Sequence, residues 1–201
     1  MTKKIGIYGG TFSPPHIGHV GAAESFSRAL PLDELLIIPD FLPPHKEFDG
    51  KTSAEDRMRM CELAFSHIKN VKFSDIEIKR GGKSYTALTL EELSGQEIEL
   101  YFLCGTDMFI TLNEWYSPKK IFDLATICYV RREEDKKNEK FLETLTEKYT
   151  REYGARVVRI PCDVKEISST EVRTLLKSRG NLDGLLSKNV YDYIIEKGLY
   201  L

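Results

Sequence analysis

The segment from Gly9 to His19, with the sequence GGTFSPPHIGH, gathers residue types that could act on a phosphate group. His16 and His19 stand three positions apart, so on a helix they would share one face and could touch the same ligand. Gly9 and Gly10 allow a sharp turn and let a ligand approach the backbone closely. Backbone N–H groups at the start of the following helix would favour an anion. The segment therefore predicts a site in which histidines and backbone N–H groups donate to phosphate oxygens.

The residues alone leave two other uses of the histidine pair open. Histidines at i and i+3 can hold a metal ion, but no third ligand lies nearby in the sequence and no HExxH pattern occurs. They can also be structural and hydrogen-bond to the turn. We favour the phosphate interpretation because the glycine turn, the helix start and the paired donors all suit one anionic ligand. The sequence therefore predicts no metal site built from protein side chains.

A second stretch, Ile167–Arg173 with the sequence ISSTEVR, offers a matching set of donors. Three hydroxyl residues stand at its predicted helix start, namely Ser168, Ser169 and Thr170. Glu171 would complete a capping box with the first of them, and the N–H groups of that helix start suit a phosphate. Arg173, one turn further on, adds a permanently charged donor fork. The alternative is an ordinary capped helix with a surface arginine.

The elements that must position these motifs follow from apolar strands that alternate with amphipathic helices. We predict strands at 4–8, 35–39, 71–78, 99–104, 126–130 and 155–160. We predict helices at 18–30, 52–67, 85–93, 133–153, 169–177 and 187–197, with an irregular to helical stretch at 115–124. A capping box from Thr52 to Glu55 would open the second helix.

This alternation predicts an α/β fold, a Rossmann-like doubly wound parallel sheet with helices on both faces. The helices of about 168–201 would form a small C-terminal cap, integral to a single domain of residues 1–201. Ligands of such sheets bind beyond the carboxyl ends of the strands, where the strand order reverses. That rule places three segments on one rim, namely 9–19, 39–46 and 105–107.

The composition argues against several classes of protein. The 201 residues are 41% apolar and 30% charged, as in ordinary globular proteins. A net charge of −2, without a basic stripe, predicts no nucleic-acid partner. No run approaches the roughly 18 apolar residues of a membrane span, and the N-terminal run is too short for a signal peptide. The scattered cysteines form no CxxC pair and predict reduced thiols, so we expect a cytoplasmic protein.

Together, the two motifs resemble the signature of the nucleotidyltransferase superfamily that carries an HxGH motif. That resemblance implies transfer of a nucleotidyl group from a nucleoside triphosphate to a phosphate-bearing acceptor. It implies catalytic roles for His16, His19 and Arg173. It also implies that ATP and its phosphates are bound by Gly9, Gly10, Thr11, Phe12, Lys46, Gly105, Asp107, Ser168, Ser169 and Thr170. One position departs from the common GTFDP pattern, since Ser13 replaces the acid, although its hydroxyl can still bond to the turn.

Three further stretches resemble bacterial nicotinate-nucleotide adenylyltransferases: PPHK at 43–46, KSYT at 83–86, and GTD at 105–107 followed by WY at 115–116. The resemblance runs along nearly the whole chain. It implies that nicotinate mononucleotide is bound by His45, Tyr85, Thr86, Trp115 and Tyr116. The residue types agree, because an aromatic such as the single tryptophan can stack on a flat ring and backbone N–H groups can pair with its carboxylate.

Taken singly, these residues also have plainer interpretations. Trp115 could fill the local core, Asp107 could cap the next helix, and His45 with Lys46 could be a solvated loop pair.

The resemblance thus implies an adenylyltransferase that moves AMP from ATP to nicotinate mononucleotide. The products would be nicotinate adenine dinucleotide (deamido-NAD), for NAD biosynthesis, and pyrophosphate. ATP and nicotinate mononucleotide are the expected partners, and Mg²⁺ would enter with ATP, without a dedicated protein cage. The alternatives are a pantetheine-phosphate adenylyltransferase, which shares both phosphate motifs, a cytidylyltransferase, and a non-catalytic nucleotide sensor on the same fold. A homo-oligomer is possible, since the sequence leaves the assembly open.

Overall fold

A computed structural model describes residues 2–44, 52–131, 139–162 and 167–201. The strands in these ranges are β1 (Lys3–Gly10), β2 (Glu34–Pro39), β3 (Val71–Phe73), β4 (Ile98–Gly105), β5 (Ala125–Arg131) and β6 (Val157–Pro161). The helices are α1 (Ile17–Ala29), α2 (Ala54–Phe65), α3 (Ile76–Arg80), α4 (Thr86–Leu93), α5 (Thr106–Thr111), α6 (Pro118–Leu124), α7 (Glu139–Tyr153), α8 (Ser169–Ser178) and α9 (Lys188–Lys197). A 3₁₀ turn, Leu112–Glu114, follows α5.

The strands pair in parallel in the order β3-β2-β1-β4-β5-β6. This is a doubly wound order, and it reverses between β1 and β4. The predicted fold class is therefore confirmed. The rim segments that follow these two strands lie on either side of the crevice where such sheets bind ligands.

Both faces of the sheet are buried, which explains the nearly continuous apolar strands. Ile7 of β1 pairs with Leu36 of β2 and with Phe102 of β4, and all three belong to the core on one face. Tyr8, the next residue of β1, belongs to the core on the opposite face, together with Phe26 of α1. Helices packed over each core shield the sheet from water.

The C-terminal helices pack into the same core as α1 and α2. Val172 of α8 and Val190 and Ile194 of α9 are fully buried there. The predicted capping box of α8 is present, since Ser168 and Glu171 bond reciprocally to each other's backbone N–H groups. These contacts place the second sequence motif beside the first.

The prediction of a strand over 71–78 was wrong in its second half. Strand β3 ends at Phe73, and the last backbone bond toward β2 runs from Ser74 N to Ile37 O at 3.0 Å. The chain then turns into α3, where Lys79 N donates to Asp75 O. The alternating apolar residues of this stretch thus come from an edge strand that continues into a helix.

Three smaller points complete the comparison of the predicted and observed helices. The cap of α2 is Ser53, whose Oγ accepts from Asp56 N, whereas Thr52 is buried. Helix α5 was not predicted, because its six residues are too short to show a helical period. The predicted helix over 133–153 is described from Glu139 onward, and its first six positions lie outside the described residues.

Candidate active site

The segment Gly9–His19, called the phosphate loop below, crosses the carboxyl end of β1. Asp40 N donates to Gly10 O at 3.0 Å, so the loop starts alongside the end of β2. His16 is the N-cap residue of α1 and His19 occupies its third position. The sequence prediction that both histidines stand at a helix start is therefore confirmed.

The two histidine rings stack on each other, with centroids 3.7 Å apart and planes 27° apart. His16 is only 5% exposed, and its backbone N–H donates to His19 Nδ1 at 3.3 Å. A His19 ring that accepts at Nδ1 carries its proton on Nε2, so Nε2–H is the donor it can offer to a ligand. A Cβ at Gly18 would lie 3.0 Å from the His16 ring and 3.3 Å from Ile167, so any larger residue would press on both side chains.

The second motif bonds directly to the phosphate loop. Arg173 Nη1 donates to Ser13 O at 2.8 Å, and its Nη2 donates to Thr170 Oγ1 at 3.0 Å. Ser169 Oγ donates to Pro14 O at 2.9 Å. Two motifs about 150 residues apart in sequence thus form one surface, which has the N-terminal ends of α1 and α8 on it. Both helix starts suit an anion.

The middle of the phosphate loop is held from below. Phe12 is buried with a positive φ of 47°, and its ring packs edge-on against His19 at 5.1 Å and against Phe65 at 5.6 Å. Thr11 Oγ1 donates to Asp40 Oδ2 at 2.7 Å, so that hydroxyl proton is engaged within the protein. The backbone at these two positions is then the more direct source of donors for a phosphate.

Ser13, the residue that departs from the common family pattern, bonds to the C-terminal segment. Its Oγ lies 3.0 Å from the hydroxyl of Tyr200. Burial raises the pKa of Tyr200, although hydrogen bonds with Ser13 and Thr52 act in the opposite direction. The Tyr200 hydroxyl therefore stays neutral and can donate or accept in this bond. No sequence pattern indicated this partner, because the two residues are distant in the chain.

On the other side of the crevice, two of the three aromatic residues predicted to bind the acceptor, Tyr85 and Tyr116, are in contact. Tyr85 is the N-cap residue of α4 and Thr86 its first residue. The Tyr85 and Tyr116 rings lie 4.5 Å apart, and Tyr116 is 51% exposed. Trp115 packs edge-on against Phe102 of the core at 6.3 Å. Trp115 is thus half-buried and packs against the core, so the core interpretation of this residue holds in part.

The carboxyl end of β4 carries Gly105 and Asp107, which the resemblance assigns to ATP binding. Gly105 is the N-cap residue of α5, and Asp107 lies exposed in the first turn. A Cβ at Gly105 would lie 2.5 Å from Asp107 Oδ1, so the carboxylate folds back over the glycine at the strand end. Thr106 Oγ1 donates to Val130 O at 2.8 Å and fixes this turn to β5.

Two predicted residues, His45 and Lys46, lie outside the described residues. In the ranges that are described, no three His, Cys, Asp or Glu side chains cluster as metal ligands. None of the helices in those ranges has the length and apolarity needed to cross a membrane.

The buried carboxylate of Glu77, which the sequence analysis did not single out, bonds to residues next to Tyr85 and Thr86. Thr89 Oγ1 donates to Glu77 at 2.5 Å, and the Arg80 guanidinium lies 3.8 Å away. Ser84, just before the predicted acceptor residues, also bonds to Glu77 and accepts from Phe41 N at 2.8 Å. Burial raises the pKa of Glu77, although the bonds from Thr89 and Ser84 and the Arg80 charge oppose this effect.

Replacing Glu77 with glutamine is expected to change how stability depends on pH. A raised pKa means that the folded state keeps its proton to higher pH than the unfolded chain, so Glu77 lowers stability as pH rises. Glu77→Gln removes this titration. The melting temperature of the variant minus that of wild type should therefore increase from about pH 4 to pH 7, the range just above ordinary carboxyl pKa values. Thermal melts across this range measure the difference between the two curves.

The matched control is Glu92→Gln, which removes the other carboxylate bonded to Arg80, at 2.9 Å on the exposed side. If Glu77→Gln and Glu92→Gln gave the same pH dependence, loss of an Arg80 ion pair would be the whole effect. The burial argument for Glu77 would then be wrong.

Known proteins share both the sequence and the architecture. A family model described as cytidylyltransferase-like matches residues 7–175. A probable nicotinate-nucleotide adenylyltransferase of Oceanobacillus iheyensis is 38% identical over 200 residues, which cover 98% of this chain and 97% of the relative. The corresponding protein of Fusobacterium nucleatum subsp. nucleatum is 35% identical over 197 residues, which cover 96% and 97%.

A solved structure has the same fold at low sequence identity. It is a Plasmodium falciparum nicotinic acid mononucleotide adenylyltransferase complexed with NaAD, with a TM-score of 0.77 and 21% identity, covering 98% of this chain and 97% of its own. The sequence relatives confirm the resemblance drawn from the motifs. The chain belongs to the cytidylyltransferase-like family and, within it, to the nicotinate-nucleotide adenylyltransferases.

Proposed function

We propose that this protein transfers AMP from ATP to nicotinate mononucleotide, releasing pyrophosphate and forming nicotinate adenine dinucleotide (deamido-NAD). The observation that carries the proposal is the bond from Arg173 to Ser13 O at 2.8 Å, which joins the two phosphate motifs at the strand-order reversal. The printed names of the sequence relatives support the choice of acceptor.

The reaction is an in-line displacement at the α-phosphorus of ATP. An oxygen of the acceptor's 5′-phosphate forms a bond to the α-phosphorus while the bond to the pyrophosphate oxygen breaks. The acceptor phosphate is already an anion, so the protein needs no nucleophile of its own. Catalysis then comes from positioning the two substrates and stabilising the charge of the transition state.

Each part of the phosphate surface has a role in this scheme. His16 stabilises the α-phosphate in the transition state, and His19 with Arg173 holds the β- and γ-phosphates. The backbone of Gly9, Gly10, Thr11 and Phe12 donates to phosphate oxygens. The start of α8 adds the donors of Ser168, Ser169 and Thr170. Lys46 is assigned to the phosphates by resemblance.

The acceptor side recognises a flat ring that carries a carboxylate. Trp115 and Tyr116 provide aromatic surface for the ring. The backbone N–H at the start of α4 is that of Thr86, since the Tyr85 N–H already donates to Lys83 O at 3.0 Å. His45 is assigned to the acceptor by resemblance. Gly105 lets the Asp107 carboxylate reach the strand end, where it holds nucleotide hydroxyls.

We assign Mg²⁺ to the bound ATP rather than to a protein cage. Mg²⁺ prefers oxygen ligands and keeps several of its waters. Asp40, a carboxylate beside the phosphate loop, bonds to Arg57 and Thr11, so this donor set fits a metal held by the triphosphate and water. Bound in this way, the ion neutralises part of the triphosphate charge.

We also propose that residues 1–201 form a single domain in which the C-terminal helices are an integral part. The support is the shared core of α1, α2, α8 and α9 and the bond from Ile17 N to Leu185 O at 2.9 Å. A cytoplasmic location fits the free cysteines Cys61, Cys104 and Cys128, which are buried in that and the opposite core.

The experiment that tests the function is pyrophosphate release with ATP and Mg²⁺ and one of three acceptors. We expect turnover with nicotinate mononucleotide and much weaker turnover with nicotinamide mononucleotide. A site that pairs a carboxylate leaves buried donors facing the amide, at about 1–3 kcal/mol for each unsatisfied group. The ratio of kcat/KM for the two acceptors measures this preference.

Phosphopantetheine is the third acceptor and the control for chemistry without ring recognition. Turnover with phosphopantetheine alone would support the phosphate-binding roles of the two motifs but would overturn the assignment of Trp115 and Thr86 to the acceptor. No turnover with any acceptor would favour the nucleotide sensor.

A further inference from the structure

A buried arginine lies directly beneath the phosphate loop. Arg57 of α2 is 1% exposed, and its guanidinium donates to the backbone carbonyls of Thr11 and Asp40, with a longer contact to Phe41 O at 3.5 Å. Nη1 donates to Thr11 O at 3.0 Å, and Nη2 donates to Asp40 O at 2.6 Å. Nη1 also bonds to the Asp40 carboxylate at 3.2 Å. A buried charge is unfavourable unless it is paired and hydrogen-bonded, and Arg57 has both the Asp40 carboxylate and backbone carbonyls as partners.

The bond to Thr11 O fixes the direction of the next peptide group. The Thr11–Phe12 peptide is trans and planar, so its C=O and N–H point in opposite directions. With the Thr11 carbonyl directed down at Arg57, the Phe12 N–H is directed away from Arg57. Phe12 has a φ of 47°, a region that side chains other than glycine rarely adopt. The peptide therefore keeps this direction because its surroundings hold it.

The second carbonyl contact fixes the neighbouring strand end in the same way. Asp40 O accepts from Arg57, while Phe41 N, on the other side of that peptide, donates to Ser84 Oγ at 2.8 Å. Asp40 carboxylate oxygens bond to Arg57 and to the Thr11 hydroxyl. One guanidinium thus links the phosphate loop to the segment that leads toward the acceptor residues.

We propose that Arg57 is a positioning residue: it orients the Thr11–Phe12 peptide so that the Phe12 N–H donates to the transferred phosphate. The inference rests on the proposed function for the identity of that phosphate. The planar fork of arginine reaches both carbonyls at once, whereas the single ammonium of lysine has no such geometry. The orientation, and not the positive charge alone, is what the loop requires.

The test is Arg57→Lys, assayed as pyrophosphate release below its melting temperature. We expect kcat to fall about 10- to 100-fold, since losing one such donor elsewhere reduces kcat by 10²–10³. The KM for ATP should change less than threefold, because the other phosphate donors remain. A raised KM for ATP with kcat unchanged, or a kcat within threefold of the wild-type value, would overturn the proposal.

Two further variants separate orientation from charge and from general effects on α2. Asp40→Asn removes the ion pair but keeps both carbonyl contacts, so its loss in kcat should be smaller than that of Arg57→Lys. An equal or larger loss would show that the ion pair matters more than the carbonyls. Arg59→Gln is the matched control, because Arg59 lies on the same helix in an exposed pair with Glu62 at 2.7 Å. Its kcat should stay at the wild-type value.

A second readout does not depend on turnover or on the stability of a variant. In wild-type protein labelled with ¹⁵N, the Phe12 amide resonance should shift on addition of AMP, which carries the transferred phosphate. A Phe12 resonance that stays in place while other loop resonances shift would overturn the inference. If AMP shifted the Phe12 resonance of wild type but no acceptor turned over, the proposed function would fail and the assignment of the Phe12 N–H to a bound phosphate would stand.

Discussion

Replacing His16 with alanine is expected to lower kcat by about 10²- to 10³-fold, the range found when one transition-state donor is removed. The His16 ring is buried at the start of α1 and stacks on His19, so its position is fixed before substrate binds. A donor that acts on charge developing at the α-phosphorus contributes mainly in the transition state. The KM values for both substrates should therefore change much less than kcat.

The measurement is steady-state pyrophosphate release with nicotinate mononucleotide, with circular dichroism melts to confirm folding. His16→Asn keeps an N–H donor in a smaller side chain and should recover part of the lost rate. The matched control is His67→Ala, because His67 is 55% exposed and pairs with Glu24 at 2.9 Å. Full turnover by His16→Ala would contradict the mechanism and would favour the nucleotide sensor.

Arg173→Met is expected to lower kcat/KM for ATP by about 10- to 100-fold. Hydrogen bonds to charged groups contribute about 1.5–3 kcal/mol, and Arg173 is assigned to the β- and γ-phosphates. The variant also loses the bond to Ser13 O, so the phosphate loop loses part of its support. Arg173→Lys keeps the charge without the planar fork, so its kcat/KM for ATP should lie between the values of Arg173→Met and wild type.

Inhibition by pyrophosphate gives a second measurement of the same contact. Pyrophosphate should inhibit Arg173→Met more weakly than wild type, since the product keeps the two phosphates in question. Lys177→Met is the control, because it removes one positive charge from the exposed last turn of the same helix. A rise in KM for nicotinate mononucleotide alone would place Arg173 on the acceptor and contradict the assignment.

The fold was largely predictable because its information is local. Apolar runs such as 35–39 identify strands buried on both faces, and the glycine and hydroxyl motifs identify the helix starts. The failure at 71–78 has a physical cause, since Ile76 and Ile78 alternate with polar residues and mimic a strand. Glu77 lies between them in α3, where the bond from Thr89 satisfies its buried carboxylate. That bond comes from α4 and cannot be foreseen locally.

The motif residues were predictable, but the side chain beneath them was not. Arg57 stands in the charged stretch AEDRMRM, where it looks like Arg59, its exposed neighbour. One signal could have separated the two. Arg57 shares the helical spacing of Cys61 and Ala64, which are buried on the core face of α2, whereas Arg59 does not. A charged residue on the apolar face of a helix is therefore a candidate for a buried residue with polar partners.

The directions of the peptide groups could not be predicted from the sequence. Whether the N–H groups near Thr86 and Trp115 meet a carboxylate depends on backbone orientation, which residue types do not specify. The resemblance assigned Tyr85 and Tyr116 to the acceptor, but the contact between their rings, 4.5 Å apart, was not predicted.

The bonds from the phosphate loop to the C-terminal segment determine when the site can exist during folding. Ser13 and Tyr200 are separated by 187 positions, and Ser13 and Arg173 by 160. Contacts of such high sequence separation close very long loops, so they form only after the intervening chain has been ordered. The sheet can pair strand by strand while the phosphate loop still lacks these partners. Catalytic competence is therefore a property of the completed fold, and activity should report on global rather than local structure.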